Sequence, residues 1–319
     1  MAADASPTGS QVRRSAVAVS RAVETVGDAW SWLVLRELVF DRVGRFDELQ
    51  RRLGIARSTL TARLAQLTEG GLVVKDTEPG FTRPHYVLTE MGWDFFACLM
   101  TAMRWGDQWA ADGHGRPLTL RHTTCGAPLD AVLACAACRE PLLAREVLAH
   151  RLGGTARPQA DAARPRSRTP ELSLLERQRP CSIARTQKVI GDRWSSLLLR
   201  AAFMGVRRFD DFRQELGIAE SILSGRLVRL TDLGVLTRRT YQTNPPRDEY
   251  LLTEKGLDLY PIYLSMLAWG DRWLALPSDA AIVLEHRPCA CSVEPVLVCA
   301  GCQGVLTPRD VVPHGTPPV

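Results

Sequence analysis

Two short stretches of this chain concentrate soft metal ligands. His122-Thr-Thr-Cys125 followed by Cys135-Ala-Ala-Cys138 spells H-x2-C-x9-C-x2-C, and His286-Arg-Pro-Cys289 with Cys299-Ala-Gly-Cys302 repeats it. Two ligands so spaced sit on one turn, and two such turns converge tetrahedrally on one Zn2+, the logic of a zinc ribbon. The expectation is a structural zinc in each half, about two per chain, with every half closing its own site. In the second cluster Cys291 offers a competing ligand that could complete a four-cysteine site without His286. Thioredoxin-like redox pairs would want a surrounding βαβ pattern, which is absent, and a zinc deaminase would need H-x-E, also absent.

The elements around these clusters point elsewhere than to catalysis. Phe209, Phe212 and Leu216 fall on one face of a short helix that Gly217 ends, and Ile218, Leu223, Leu227 and Leu230 stripe a second helix. That helix keeps Ser221, Ser224, Gly225, Arg226 and Arg229 off the stripe, the small polar and basic residues that suit a helix lying in a DNA groove. A plain helical hairpin with a solvated outer face has the same pattern. The continuation decides: Val235–Tyr241 and Glu249–Leu252 read as short strands around a proline-rich loop carrying Arg247, and a helix-turn-helix followed by a β-hairpin is a winged helix.

At this point the chain resembles a known family. Cys181-Ser-Ile-Ala-Arg185, Ile190-Gly-Asp-Arg-Trp194, Arg208-Phe-Asp-Asp-Phe212, Pro245-Pro-Arg-Asp-Glu-Tyr250 and Leu252-Thr-Glu-Lys-Gly256 are similar, in order, to the HxlR-type winged-helix transcription regulators, through roughly 181–273. The resemblance implies duplex DNA as partner and a homodimeric way of working. It also implies a role for Cys181, since relatives often carry a cysteine there that in some of them senses oxidants. Arg179 and Arg185 nearby would favour its thiolate, and a buried inert thiol is the competing reading.

The first half says the same again. Trp30 and Trp194, Tyr86 and Tyr250, Trp105 and Trp269, and Cys138 and Cys302 are each separated by 164 residues, while Phe46 and Phe209 are separated by 163. One residue was therefore gained or lost between the tryptophan and the helix-turn-helix, and the chain is an internal duplication. The first copy places Phe46–Leu53 and Arg57–Glu69 as its two helices, with Arg57, Ser58, Thr59, Thr61 and Arg63 on the polar face and Arg83 in the wing. Thr89–Ala110 reads as one long helix, in which Cys98 is core.

The 319 residues suit about two domains. The expected class is mainly α with small β-hairpin wings: a disordered tail over 1–14, winged-helix domains over 15–112 and 173–276, cysteine-rich β extensions over 113–150 and 277–319, and an exposed linker over 151–172. The net charge of +5 hints mildly at an acidic partner. No signal peptide or membrane span is readable at the start or elsewhere, so a cytoplasmic protein with no membrane partner is expected, and its cysteines read as metal or redox groups before disulfides.

The reading is a sequence-specific DNA-binding regulator, not an enzyme, in which two fused winged helices act as an intrachain pseudo-dimer. Recognition falls to Arg57, Ser58, Thr59, Thr61 and Arg63 in one groove and Ser221, Ser224, Gly225, Arg226 and Arg229 in the next, with Arg83 and Arg247 on phosphate or the minor groove. The alternative is a protein-interaction or redox-sensing module in which only the first half grips DNA, because Glu220 and Ile222 stand in the second recognition helix. Further self-association and the identity of any small-molecule or redox effector are left open.

Overall fold

The computed structural model describes residues 12–26, 28–76, 85–110, 116–152 and 170–313. Each half repeats one scheme. In the first, α1 (Ala18–Val26) and α2 (Ala29–Arg36) precede α3 (Phe46–Leu53), α4 (Arg57–Glu69), a hairpin of β2 (Val73–Asp76) and β3 (His85–Leu88), then α5 (Glu90–Asp94) and α6 (Phe96–Trp109). Strands β4 (Leu120–His122), β5 (Ala131–Cys135) and β6 (Val147–Leu152) form its extension, and α7 (Leu172–Leu175) leads to the second half. There α8 (Ser182–Ile190), α9 (Arg193–Phe203), α10 (Phe209–Leu216), α11 (Glu220–Asp232), β7 (Leu236–Thr243), β8 (Pro246–Leu252), α12 (Glu254–Leu257) and α13 (Tyr260–Leu274) repeat the order. Strands β9 (Ala281–His286), β10 (Cys291–Ser292), β11 (Pro295–Cys299) and β12 (Val311–Pro313) close the chain's described part.

The helix-turn-helix boundaries follow from the apolar period. Leu49, Leu53, Ile55, Leu60, Leu64 and Leu67 are buried in the first copy, as are Phe212, Leu216, Ile218, Leu223, Leu227 and Leu230 in the second. The turn between the helices needs a left-handed residue, and Gly54 (φ 62°) and Gly217 (φ 58°) supply it without Cβ strain. The residue that shifts the repeat from 164 to 163 has a structural address. After Arg36 the first copy runs into a π-helical turn, Glu37–Asp41, whereas α9 stays regular to Phe203. A π turn is how a helix absorbs one extra residue.

The two halves are interlocked. α1 packs against α13 and α6 against α8. At these crossings Gly106 and Gly270 allow backbone contact: a Cβ on Gly106 would lie 2.1 Å from the Ser182 carbonyl oxygen, and one on Gly270 2.5 Å from that of Ala18. The surrounding tryptophans reach across reciprocally. Trp105 Nε1 donates to the Lys255 carbonyl (3.0 Å) and Trp269 Nε1 to that of Met91 (2.9 Å), while Trp109 and Trp273 donate to Asp258 and Asp94, both at 2.8 Å. A contact and its mirror made by equivalent residues are the mark of an isologous, two-fold interface.

The extensions obey the same symmetry. β4 pairs with β12, β6 with β9 and β5 with β11, always antiparallel and always across halves. In the last pair Leu133 faces Leu297, its own equivalent in the repeat, so the pseudo-two-fold axis passes between them.

Several expectations change. Arg13–Ser15 is a strand, β1, on β9 rather than part of a loose tail, and residues 1–11 lie outside the described residues. The linker expectation falls mostly on 153–169, also outside them, while Arg151 and Leu152 belong to β6. Thr89–Ala110 breaks at Phe95, whose buried ring meets Trp32 and Trp269 edge-on at 4.9 and 5.2 Å. The second wing is longer than expected, because Pro246 opens β8 opposite Thr243, at a strand's first position where its missing N–H costs no ladder bond. No helix among the described residues is long and apolar enough to cross a membrane.

Candidate nucleic-acid interface and metal clusters

The eight ligands expected within halves are dealt out between them. His122 and Cys125 gather with Cys299 and Cys302, and Cys135 and Cys138 with His286 and Cys289; in each group all four donor atoms lie within 4.8 Å of one another. This corrects the expectation that each half closes its own site. The cause is the strand pairing: β5 on β11 carries each C-x2-C turn to the other half's H-x2-C turn. His122 Nδ1 lies 3.3 Å from Cys125 Sγ and 3.4 Å from Cys302 Sγ, and Cys125 Sγ 4.0 Å from Cys299 Sγ. In the twin, His286 Nδ1 is 3.4 Å from both Cys138 and Cys289, with Cys135 and Cys289 3.9 Å apart. A tetrahedron with Zn–S near 2.3 Å and Zn–N near 2.0 Å has edges of roughly 3.5–3.8 Å, so the donor sets fit zinc.

Cys291 stays outside both groups. Its thiol donates to the Cys289 carbonyl at 3.4 Å, and the histidine, not Cys291, completes the cluster. The Ala127 backbone N–H, with lesser help from His122, lowers the Cys125 thiol to about 7, so its thiolate is accessible near neutrality.

The recognition helices divide their polar residues between two tasks. On α4, Arg57, Ser58 and Thr61 are exposed and Thr59 is half-buried. Arg57 stacks over Phe46 at 4.8 Å and stands 3.8 Å from Asp47, with most of its surface open, and the Thr61 hydroxyl donates to the Arg57 carbonyl. Arg63 turns inward instead, 2.6 Å from the Asp28 carboxylate. Asp28 is the N-cap of α2 and only 2% exposed, and a buried carboxylate requires a counter-charge. The second half repeats the tether: Arg226 Nε donates to Asp192, the N-cap of α9, at 2.9 Å. Both arginines were expected in a groove, and in the structure both lock a recognition helix to the start of the preceding core helix.

Arg229 likewise donates back, to the Lys188 carbonyl at 2.5 Å. Ser221, Ser224 and Gly225 are exposed on α11, and Arg247 is exposed near the tip of the second wing. Arg83 lies outside the described residues. Sequence reading passed over the exposed Arg238 and Arg239 on β7, which pair with Asp248 and Glu249 of β8, and Arg208, stacked 4.5 Å over Tyr241. Their signal was the run of arginines inside and before the predicted wing strand.

Cys181 is buried at the N-cap of α8, where its sulfur accepts from the Ala184 N–H at 3.4 Å. The arginines expected to activate it are engaged elsewhere: Arg179 with Glu37 and Asp41, each at 2.7 Å, and Arg185 with Glu176 at 2.9 Å. Cys98 is fully buried, and burial first, then Asp94, pushes its thiol up, as an inert core cysteine requires.

The family comparison follows the division into two halves. The family described as HxlR-like helix-turn-helix matches residues 25–114 and 189–277. The uncharacterized HTH-type transcriptional regulator MT3179 of Mycobacterium tuberculosis is 40% identical over 136 residues, which is 43% of this chain and 86% of its own. The uncharacterized HTH-type transcriptional regulator YdeP of Bacillus subtilis is 36% identical over 94 residues, 29% of this chain and 73% of its own. Among solved structures, PA1607 is similar at 35% identity over 41% of this chain and 91% of its own (TM-score 0.38). The redox regulator HypR in its oxidized form matches at 35% identity over 30% and 100% (TM-score 0.29).

Proposed function

Because the chain belongs to the HxlR-like helix-turn-helix family and carries its domain twice, we propose that a single chain reads a two-part operator in duplex DNA as a covalent pseudo-dimer. The observation that carries this is the reciprocity of the interface: equivalent tryptophans reach equivalent acceptors in both directions. A two-fold arrangement presents two recognition helices to successive turns of one groove face.

The helices are unequal. On α4, Arg57, Ser58, Thr59 and Thr61 contact base edges or phosphates, while α11 offers Ser221, Ser224 and Gly225 beside the acidic Glu220, so the second half relies on Arg247, Arg208, Arg238 and Arg239 of its wing region for backbone grip. Arg63, Arg226 and Arg229 position the helices. The two clusters hold structural zinc and staple the extensions across the pseudo-axis. Deprotonated cysteine and neutral histidine are the species a bound ion takes. The burial of Cys181 favours a structural over a sensing role for it. The test is titration of operator DNA with the whole chain at fixed salt: nanomolar, salt-dependent binding by one chain supports the proposal, and binding that requires two chains opposes it.

A further inference from the structure

At one pair of equivalent positions the two halves differ in volume. In the second half, α9, α13 and β9 enclose, with β6 and the start of α1 from the first half, a cavity of about 450 Å³. Its pseudo-symmetric counterpart, where Met103 and Leu118 stand for Leu267 and Ile282, is a recess of about 50 Å³. The reason is legible in the side chains. The first half fills the region with a buried ion cluster in which Glu37 meets Arg36, Arg52 and Arg179. The positions matching Glu37, Arg52 and Arg179 hold Ala201, Glu215 and Ser15. Arg200, the equivalent of Arg36, pairs with Glu215 at 3.5 Å.

What lines the vacated space is aromatic and apolar. Phe203 packs against Tyr260 and Tyr263 at 5.2 Å each, and Leu267 and Ile282 complete the wall. Burial pushes both tyrosine hydroxyls well above their ordinary range, so they stay neutral donors. Tyr263's hydroxyl, near Ser196 and Arg200, makes no hydrogen bond of good geometry among the described residues. The cavity opens to solvent beside the exposed Leu148 and Ala149, and its volume falls within the roughly 300–1,000 Å³ of ligand pockets. The segment following β6, 153–169, has only alanine and proline as apolar residues and offers nothing to fill an aromatic wall.

We infer that this cavity is a binding site for an uncharged, largely apolar small molecule of one or two rings carrying a single hydrogen-bonding group. The charge class follows from the lining, since Arg200 and Glu215 neutralise one another. A ligand there would touch Glu215 on α10 and Tyr263 on α13, the first helix of the DNA-reading pair and the helix that joins the halves. The site stands independently of the DNA-binding reading and is tested without DNA.

The probe is 6-propionyl-2-(dimethylamino)naphthalene, neutral, two-ringed and carrying one carbonyl acceptor, titrated into the full-length protein while its fluorescence is followed. The expected result is saturable binding of one probe per chain, weakened at least tenfold by Ala281→Phe inside the cavity and by Ala149→Trp at its mouth. Ala149 is exposed, so its variant keeps the test informative if Ala281→Phe fails to fold. Circular dichroism and Tm of the Ala149 variant should match the parent. Absence of saturable binding, or saturable binding left unchanged by Ala149→Trp, overturns the inference.

Discussion

The sulfurs of Cys125 and Cys299 lie 4.0 Å apart, although 174 residues separate them in the chain. Both belong to one candidate metal cluster, which is therefore built jointly from the two halves. Zinc content of paired variants separates the two pairings. Cys125→Ser with Cys299→Ser should remove one zinc and leave the other, because both residues serve one cluster, whereas Cys125→Ser with Cys135→Ser should remove both. Elemental analysis giving the opposite pattern would restore the within-half pairing. Chelation should also lower Tm, since the free energy of structural zinc binding is folding free energy.

Gly106 sits against the Ser182 backbone with no room for a methyl group. Gly106→Ala should destabilise the protein by about 1–3 kcal/mol through overpacking at the crossing of α6 and α8. Gly225→Ala, on the exposed face of α11 with nothing within 4 Å, should be neutral or stabilise by up to about 1 kcal/mol. Thermal denaturation of the two variants side by side checks both, and equal Tm values would mean that the close crossing is absent in solution.

The inward arginines and the outward one should behave oppositely. Arg63→Ala takes a counter-charge away from the buried Asp28 carboxylate and should cost about 1–3 kcal/mol of stability. Asp28→Asn combined with Arg63→Met should recover part of that. Arg57→Ala should leave Tm within a degree or two and weaken operator binding by roughly 1–3 kcal/mol if its guanidinium reaches a base edge. Denaturation and DNA titration on the same preparations decide; an Arg63 variant that loses DNA affinity at unchanged stability would return that residue to the groove.

The tether between Arg179 and Asp41 joins the halves through charge, and it predicts an acid limit. Burial alone would raise the Asp41 carboxyl, but Arg179 and then Arg52 outweigh it and hold it below the usual range. A depressed carboxylate contributes stability above its unfolded pKa of about 3.9, and that contribution is lost as pH falls through the lower folded value. Asp41→Asn should therefore lower stability at pH 7 and narrow its gap to the parent at the acid end, below about pH 4. A gap constant with pH would show the pair to be unformed.

The helix-turn-helix was legible almost to the residue, because a 3.6-residue apolar stripe and a glycine at the turn specify it locally, as Leu60, Leu64, Leu67 and Gly54 do. The repeat was legible from its spacing, but not its consequence. A spacing of x9 says that two ligand pairs are near in sequence, and only strand pairing across the pseudo-axis decides which pairs meet. Arg63 was read outward because a polar helix face looks the same whether its arginine serves DNA or a buried cap; the clue was Asp28 in Val26-Gly-Asp-Ala-Trp30, an N-cap aspartate ahead of an apolar helix. The cavity left no sequence signal beyond a set of paired differences, Glu37 against Ala201 foremost, that have meaning only once both halves are in place.

The proposal that one chain is a complete two-headed DNA reader is tested most directly by footprinting its operator together with the mass of the complex in solution. The account predicts one 35.3 kDa chain protecting two half-sites about one helical turn apart, with unequal sequence requirements at the two ends. Two chains on a single palindromic site, or the same footprint from the first half alone, would contradict it.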